Sequence, residues 1–181
     1  GTNAKKSDAT SITFTQDIGL EVHVIDFYGG SAEGLAHYVK ALKEKPYVYR
    51  RHFGPHDLAV VELGTGKTRL EMAGALGLRF EVVPLLPFSD GIEAVRMIFP
   101  RCWFDEEKTS HLLKALRSYR KQWDDNLGKF KDKPLKDWAA DPADSFRMMA
   151  LGHRDQHLLG FYDKEEEELR AISKNINYLA K

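Results

Sequence analysis

Glu21-Val22-His23-Val24-Ile25-Asp26-Phe27-Tyr28 is rich in β-branched and aromatic residues and is followed by a glycine pair; its reading as a strand decides the fold. Alternation puts Val22, Val24 and Asp26 on one face and His23, Ile25 and Phe27 on the other. Apolar side chains fall on both faces, so both should be at least partly covered. Upstream, Ser11 to Thr15 forms a second strand, with Asp17-Ile18-Gly19 as the turn of a hairpin. Downstream, Gly29-Gly30-Ser31 breaks the strand, and Ser31 with Glu33 nearby opens a helix through about Lys43, whose Leu35, Tyr38, Val39 and Leu42 recur at helical spacing. After Pro46, Tyr47 to Phe53 reads as another strand. Strand, helix and strand in this order predict a parallel crossover. It would lead into Gly54-Pro55-His56-Asp57, a turn holding Asp57 at a strand's carboxyl end, where open α/β sheets carry their sites.

Beyond that turn, Thr68 to Leu76 is helical, Gly77 stops it, and Arg79 to Pro84 is a short strand. A helical pattern from Gly91 to Phe99 is interrupted at Pro100 and resumes from about Glu106 to Asp124, with Leu112, Leu113, Leu116, Tyr119 and Trp123 on one side. Gly128 to Lys136 reads as a Lys-rich loop. In the segment Asp137 to Ala150, Asp141 is expected as N-cap, Pro142 as first helical residue and Asp144 in the first turn. Asp137, Asp141 and Asp144 could then converge on one cation, or simply cap the helix.

The chain of 181 residues, 43% of them apolar, fits one domain over residues 1–152, followed by a charged helical tail over 153–181 that contains Glu165-Glu166-Glu167-Glu168. Basic and acidic residues number 27 each, so no bulk field draws the chain to nucleic acid and any DNA contact needs a local basic patch. The single Cys102 excludes an internal disulfide and a multi-cysteine zinc site, and reads as a small core residue. No apolar run has the length of a membrane span, and Gly1-Thr2-Asn3-Ala4-Lys5-Lys6-Ser7 lacks the centre of a signal peptide. A start without methionine, in a polar loop leading to a strand, is what a piece of a longer protein looks like.

Gly64-Thr65-Gly66-Lys67-Thr68 invites a phosphate-loop reading but fails it, because Val61 stands where the first glycine is required. His52 and His56 straddle a strand end and a turn, a poor metal pair, and His56 is better read as supporting a carboxylate site. Three separated acidic points are more informative together: Asp8 before the first strand, Asp57 after a later one, and Asp141 or Asp144 at a helix start. Carboxylate oxygens suit hard divalent cations, and two such ions held together can promote phosphodiester hydrolysis. Arg50, Arg51, Lys67, Arg69, Arg117, Arg120, Lys121, Lys129, Lys131, Lys133 and Lys136, with Tyr119, Trp123 and Phe130 among them, form a candidate phosphate-tracking surface.

Four stretches in this order resemble the nuclease domain of tailed-bacteriophage terminase large subunits, the DNA-packaging motor proteins. They are Val24-Ile25-Asp26-Phe27-Tyr28 with Gly34-Leu35-Ala36-His37-Tyr38; Gly54-Pro55-His56-Asp57 with Glu62-Leu63-Gly64-Thr65-Gly66-Lys67; Phe99-Pro100-Arg101-Cys102-Trp103-Phe104; and Asp137-Trp138 leading to Ala143-Asp144-Ser145-Phe146-Arg147. The resemblance spans about Gly1 to Gly152. It implies a ribonuclease-H-like mixed sheet flanked by helices, its first three strands antiparallel, and two-metal cleavage of concatemeric double-stranded DNA with Mg²⁺ or Mn²⁺. Carried over, the catalytic carboxylates are Asp8, Asp57 and Asp144, with Asp141 an additional or substitute metal ligand and His56 and Asp137 supporting them. The family's first strand ends in an aspartate just before a glycine corresponding to Gly1, so that strand and ligand would lie upstream. Relatives carry a histidine where this chain has Asp141. The implied partners are DNA, an upstream ATPase domain, the small terminase subunit and the portal protein, in the cytoplasm of an infected or lysogenic bacterial host and without a membrane. A non-catalytic DNA- or portal-docking piece, and another ribonuclease-H-like nuclease such as a junction resolvase or transposase, are the rivals.

Overall fold

The computed structural model describes residues 9–62 and 64–153; Asp8 and the tail beyond residue 153 lie outside them. β1 (Ala9–Ile18) and β2 (Glu21–Ser31) pair as the expected antiparallel hairpin, longer at both ends than the sequence pattern. The loop is Gly19-Leu20, and Gly19 adopts the positive φ of 60° that this tight reversal needs. α1 (Leu35–Glu44) starts after Gly34 rather than at Ser31. Residues Tyr47 to His52, expected as strand, are not: the Tyr49 hydroxyl donates to Leu42 O at 2.9 Å and the Tyr47 hydroxyl to Asp26 Oδ2 at 3.3 Å, tying this segment by its side chains to α1 and β2. Only β3 (Phe53–Gly54) is extended, and a 3-10 helix, His56–Ala59, follows it. At Gly54 a Cβ would run into Leu58 Cδ1 and approach Phe80, so a larger residue there would force the Leu58 side chain to move.

α2 (Arg69–Ala75) carries a full capping box between Thr68 and Glu71 and ends before Gly77 at φ 82°. β4 (Glu81–Val82) pairs in parallel with β3, so the predicted crossover from β2 to the next strand is not made. α3 (Phe88–Ile98) begins after Pro87, three residues before the expected Gly91, and a 3-10 turn holds Pro100. β5 (Cys102–Phe104) then pairs in parallel with Val22–Val24, a strand too short to show as a pattern. The predicted helix to Asp124 stops early: α4 is Ser110–Ser118, and β6 (Lys121–Asp124) and β7 (Lys129–Pro134) form an antiparallel ribbon where helix and loop were expected. Asp124 Oδ1 accepts from Asn126 N and Leu127 N at 3.0 and 3.1 Å, and Gly128 has φ 58°, which together fix the ribbon's turn. The last described helix, α5, spans 140–153.

The result is a mixed α/β topology with helices flanking a small, mostly open sheet of order β1-β2-β5, with β3-β4 and β6-β7 as separate pairs. One face packs Val22 and Val24 with Ala94, Ile98, Leu112, Phe146 and Met149 of α3, α4 and α5. The other packs Phe14 and Ile25 with Val39 and Leu42 of α1 and Ala73 of α2. Both faces of β2 are therefore covered, as expected, but not by the expected residues beyond Val24. The register slips between Phe14 and Thr15, which face Asp26 and Val24, leaving Ile25 as a bulge. A bulge reverses the alternation that follows it. Phe27 thus joins the α4 side, stacking on His111 with centroids 5.7 Å apart, while Asp26 turns to the α1 side. There Asp26 is buried, with Lys45 Nζ 2.5 Å from Oδ2 and Phe27 N donating to Oδ1 at 2.8 Å.

Candidate active site

Asp144 belongs to the end of α5 that the sequence singled out, but Asp141 lies inside the helix rather than at its cap, and a turn at Asp137 precedes the helix. Asp137 Oδ1 accepts from Ala139 N at 3.0 Å and Asp137 O from Ala140 N at 3.2 Å, so the helix begins at residue 140 rather than after Asp141. Asp141 is consequently an exposed residue of the first turn, and Pro142 is tolerated there because the first helical N–H groups have no intrahelical partner. Asp144 lies one turn in. Its Oδ1 accepts from the Tyr119 hydroxyl at 3.2 Å and from Arg147 Nε at 3.1 Å, while Oδ2 makes no hydrogen bond with any described residue. Burial, and then the Asp144 charge, hold the Tyr119 phenol far above its ordinary pKa, so it stays a donor at all working pH values. Arg147 lies over the Phe88 ring at 5.0 Å, and Gly91 makes room for it: a Cβ there would stand 2.7 Å from Arg147 Cδ. The fully buried Phe146 fixes the backbone beneath, stacked on Phe104 with centroids 5.8 Å apart.

Asp57 follows the carboxyl end of β3, as expected, in the first turn of the 3-10 helix. Its side chain is 54% exposed, and its nearest ionic partner is Arg69 Nη1 at 3.9 Å, beyond hydrogen-bond range. Arg69 is held instead by Glu62, Nε to Oε1 at 2.9 Å. Thr65 N and Gly66 N donate to Glu62 O at 3.2 and 2.8 Å, so the N–H groups that a phosphate loop would turn toward an anion are spent inside the turn. His56 is exposed beside Asp57 and makes no described contact with it.

Among the described residues Asp57 and Asp144 share no partner, and no group of three or more His, Cys, Asp or Glu side chains is arranged to hold a metal ion. Asp137, Asp141 and Asp144 therefore do not converge, and Asp137 is engaged by the turn and by Arg120, 3.4 Å from its Oδ2. Of the basic residues, Arg51 is paired with Glu81 at 2.8 Å and Lys131 with Asp124 at 3.2 Å, whereas Arg50, Lys67, Lys129 and Lys133 are exposed and make no ion pair with a described residue. Cys102 packs against the core, and burial raises its thiol pKa to about 11, which leaves no thiolate for nucleophilic work. The Asp26–Lys45–Tyr47 group was missed because nothing in the alternation marks a bulge at Ile25. The Trp123–Phe130 ring pair, 4.9 Å between centroids, was missed as a unit because Asp124-Asp125-Asn126-Leu127-Gly128 was not read as a turn.

No helix among the described residues is long and apolar enough to cross a membrane. Comparison with protein-family models, with curated proteins and with solved structures finds no match for this chain.

Proposed function

We propose that this chain is the nuclease part of a viral DNA-packaging terminase large subunit, a ribonuclease-H-like domain that cuts concatemeric double-stranded DNA. The observation that carries the reading is Asp144: a carboxylate fixed through one oxygen by Tyr119 and Arg147, its other oxygen making no hydrogen bond with a described residue, on a helix packed against the sheet that also carries β2. An oxygen so held is a pre-oriented ligand for a hard divalent cation. Asp57, exposed at a strand's carboxyl end, would be the second ligand, with Asp8 and Asp141 as the rest of a set that the described residues do not by themselves bring together. Among the described residues β1 pairs only with β2, and β3 only with β4. These open edges suit a ribonuclease-H-like sheet whose first strand, with a further aspartate, is supplied from upstream.

The donors are all carboxylate oxygens, which fits Mg²⁺ or Mn²⁺ and not a soft metal. A bound ion pair would supply Lewis-acid stabilisation of the charge that develops on phosphodiester oxygens. The chain's own residues orient that site: Tyr119 and Arg147 fix Asp144, the 3-10 turn after β3 presents Asp57, and Arg50, Lys67, Lys129 and Lys133 approach the phosphates. DNA delivery would fall to an upstream ATPase domain, the small subunit and the portal, in the cytoplasm of the bacterial host.

Supercoiled plasmid incubated with Mn²⁺ tests the reading. The chain should nick and linearise it, and Asp57→Ala and Asp144→Ala should each slow cutting about 100-fold, roughly 3 kcal/mol of barrier. Cutting that survives both substitutions would remove this site. DNA binding that is salt-sensitive but indifferent to metal, with no cutting, would favour a docking role.

A further inference from the structure

Among the described residues the β6–β7 ribbon pairs with no other strand, and it displays two large rings to solvent: Trp123 is 47% and Phe130 58% exposed. They sit directly opposite each other in the register, at an interplanar angle of 77°. The pair stabilises a ribbon that would be marginal alone, yet leaves the outer ring surfaces in water. Charge on the same element is one-sided. Lys121 is tied to Asp132 at 2.9 Å and Lys131 to Asp124 at 3.2 Å, so both strand aspartates are neutralised. Lys129, Lys133 and Lys136 remain without an ion pair among the described residues, against Asp125 alone. We propose that this ribbon grips nucleic acid where bases are unpaired, Trp123 and Phe130 stacking on the bases while Lys129 and Lys133 hold the flanking phosphates. The inference rests on the DNA reading above and adds to it a structural preference of the substrate. A two-stranded ribbon fits a duplex groove, and aromatic faces gain most from bases already freed from their stack. A protein partner would have to match lysines that make no ion pair with a described residue, Lys129 and Lys133 on the ribbon and Lys136 just beyond it. A phosphate backbone does so along its whole length.

The test uses the full chain in EDTA, so that binding is read without cutting, with a labelled duplex and the same duplex carrying a short central bubble. Wild type should bind the bubble about tenfold more tightly. The double variant Trp123→Ala, Phe130→Ala should lose that preference while holding the paired duplex within about twofold, and Trp123→Phe should keep most of it. Lys129→Gln with Lys133→Gln should weaken both probes alike and reduce the slope of log affinity against log salt by about 1.8. Equal affinity of wild type for the two probes, no binding to either, or an unaltered bubble preference in the double alanine variant would overturn the proposal. Loss of self-association in that variant with DNA binding unchanged would also do so, assigning the rings to a second copy. Should the alanine variant lose the ribbon's fold, 2-aminopurine placed in the bubble decides with wild type: its emission should change on binding, and unchanged emission overturns the proposal. Plasmid cutting with Mn²⁺ by a protein that does not favour the bubble would sink this inference and leave the nuclease reading standing.

Discussion

Asp144 is reached through a fully buried Phe146, a phenol and a guanidinium, whereas Asp57 stands on a single 3-10 turn with 54% of its side chain in solvent and a lone arginine 3.9 Å away. One carboxylate is placed by the core, the other by a surface 3-10 turn that follows β3. The difference teaches where precision in such a site comes from. Packing fixes an oxygen cheaply on one side, while the opposite side can stay adjustable until a ligand arrives.

The largest effect that would test this contrast is on stability. Phe146→Ala should destabilise the fold by about 3–5 kcal/mol, because a large ring at 0% exposure leaves a cavity that α3, α4 and β5 cannot all close. A urea midpoint shift worth less than about 1 kcal/mol would break the claim that the core sets Asp144. Thr68→Ala should cost only about 1 kcal/mol, since it removes one cap from an exposed helix start. A cost as large as that of Phe146→Ala would erase the distinction between the corners.

A pH series separates them further. His52 immediately precedes β3, and burial lowers its pKa below the ordinary value. The neutral ring is then the form the fold prefers, and the unfolded chain takes up its proton first as pH falls. Stability from this group is complete above about pH 6.5 and is lost as pH drops below that toward the folded pKa. His52→Phe should flatten that part of the urea-midpoint profile, and an unchanged profile would contradict the assignment. Smallest of all, Arg69→Ala should alter stability by less than about 0.5 kcal/mol, its ion pairs being exposed. A larger loss would show the Asp57 corner to be held more rigidly than its geometry implies.

The β1–β2 hairpin, α2 with its stop, and the position of Asp57 after a strand were legible because each is a local rule written in adjacent residues. What failed was decided by tertiary contact. Tyr47 and Tyr49 have strand propensity, but their hydroxyls bond to Asp26 and Leu42, so the segment never joins the ladder. Trp123 lies at helical spacing from Tyr119, yet Phe130 on the neighbouring strand claims it. At the candidate site, Asp144 could be named from its segment. Its partner Tyr119 could not, being 25 residues upstream and brought close only by packing. The bulge at Ile25 is the sharpest case: one unpaired residue exchanges the faces of Asp26 and Phe27, and no alternation rule announces it.

Anomalous density from crystals of the chain soaked in Mn²⁺ bears most directly on whether these two carboxylates serve one centre. The account predicts a pair of ions with Asp144 Oδ2 and an Asp57 oxygen each within about 2–2.5 Å of manganese. Ions bound elsewhere, or Asp57 and Asp144 left on unconnected sites in the loaded protein, would contradict it.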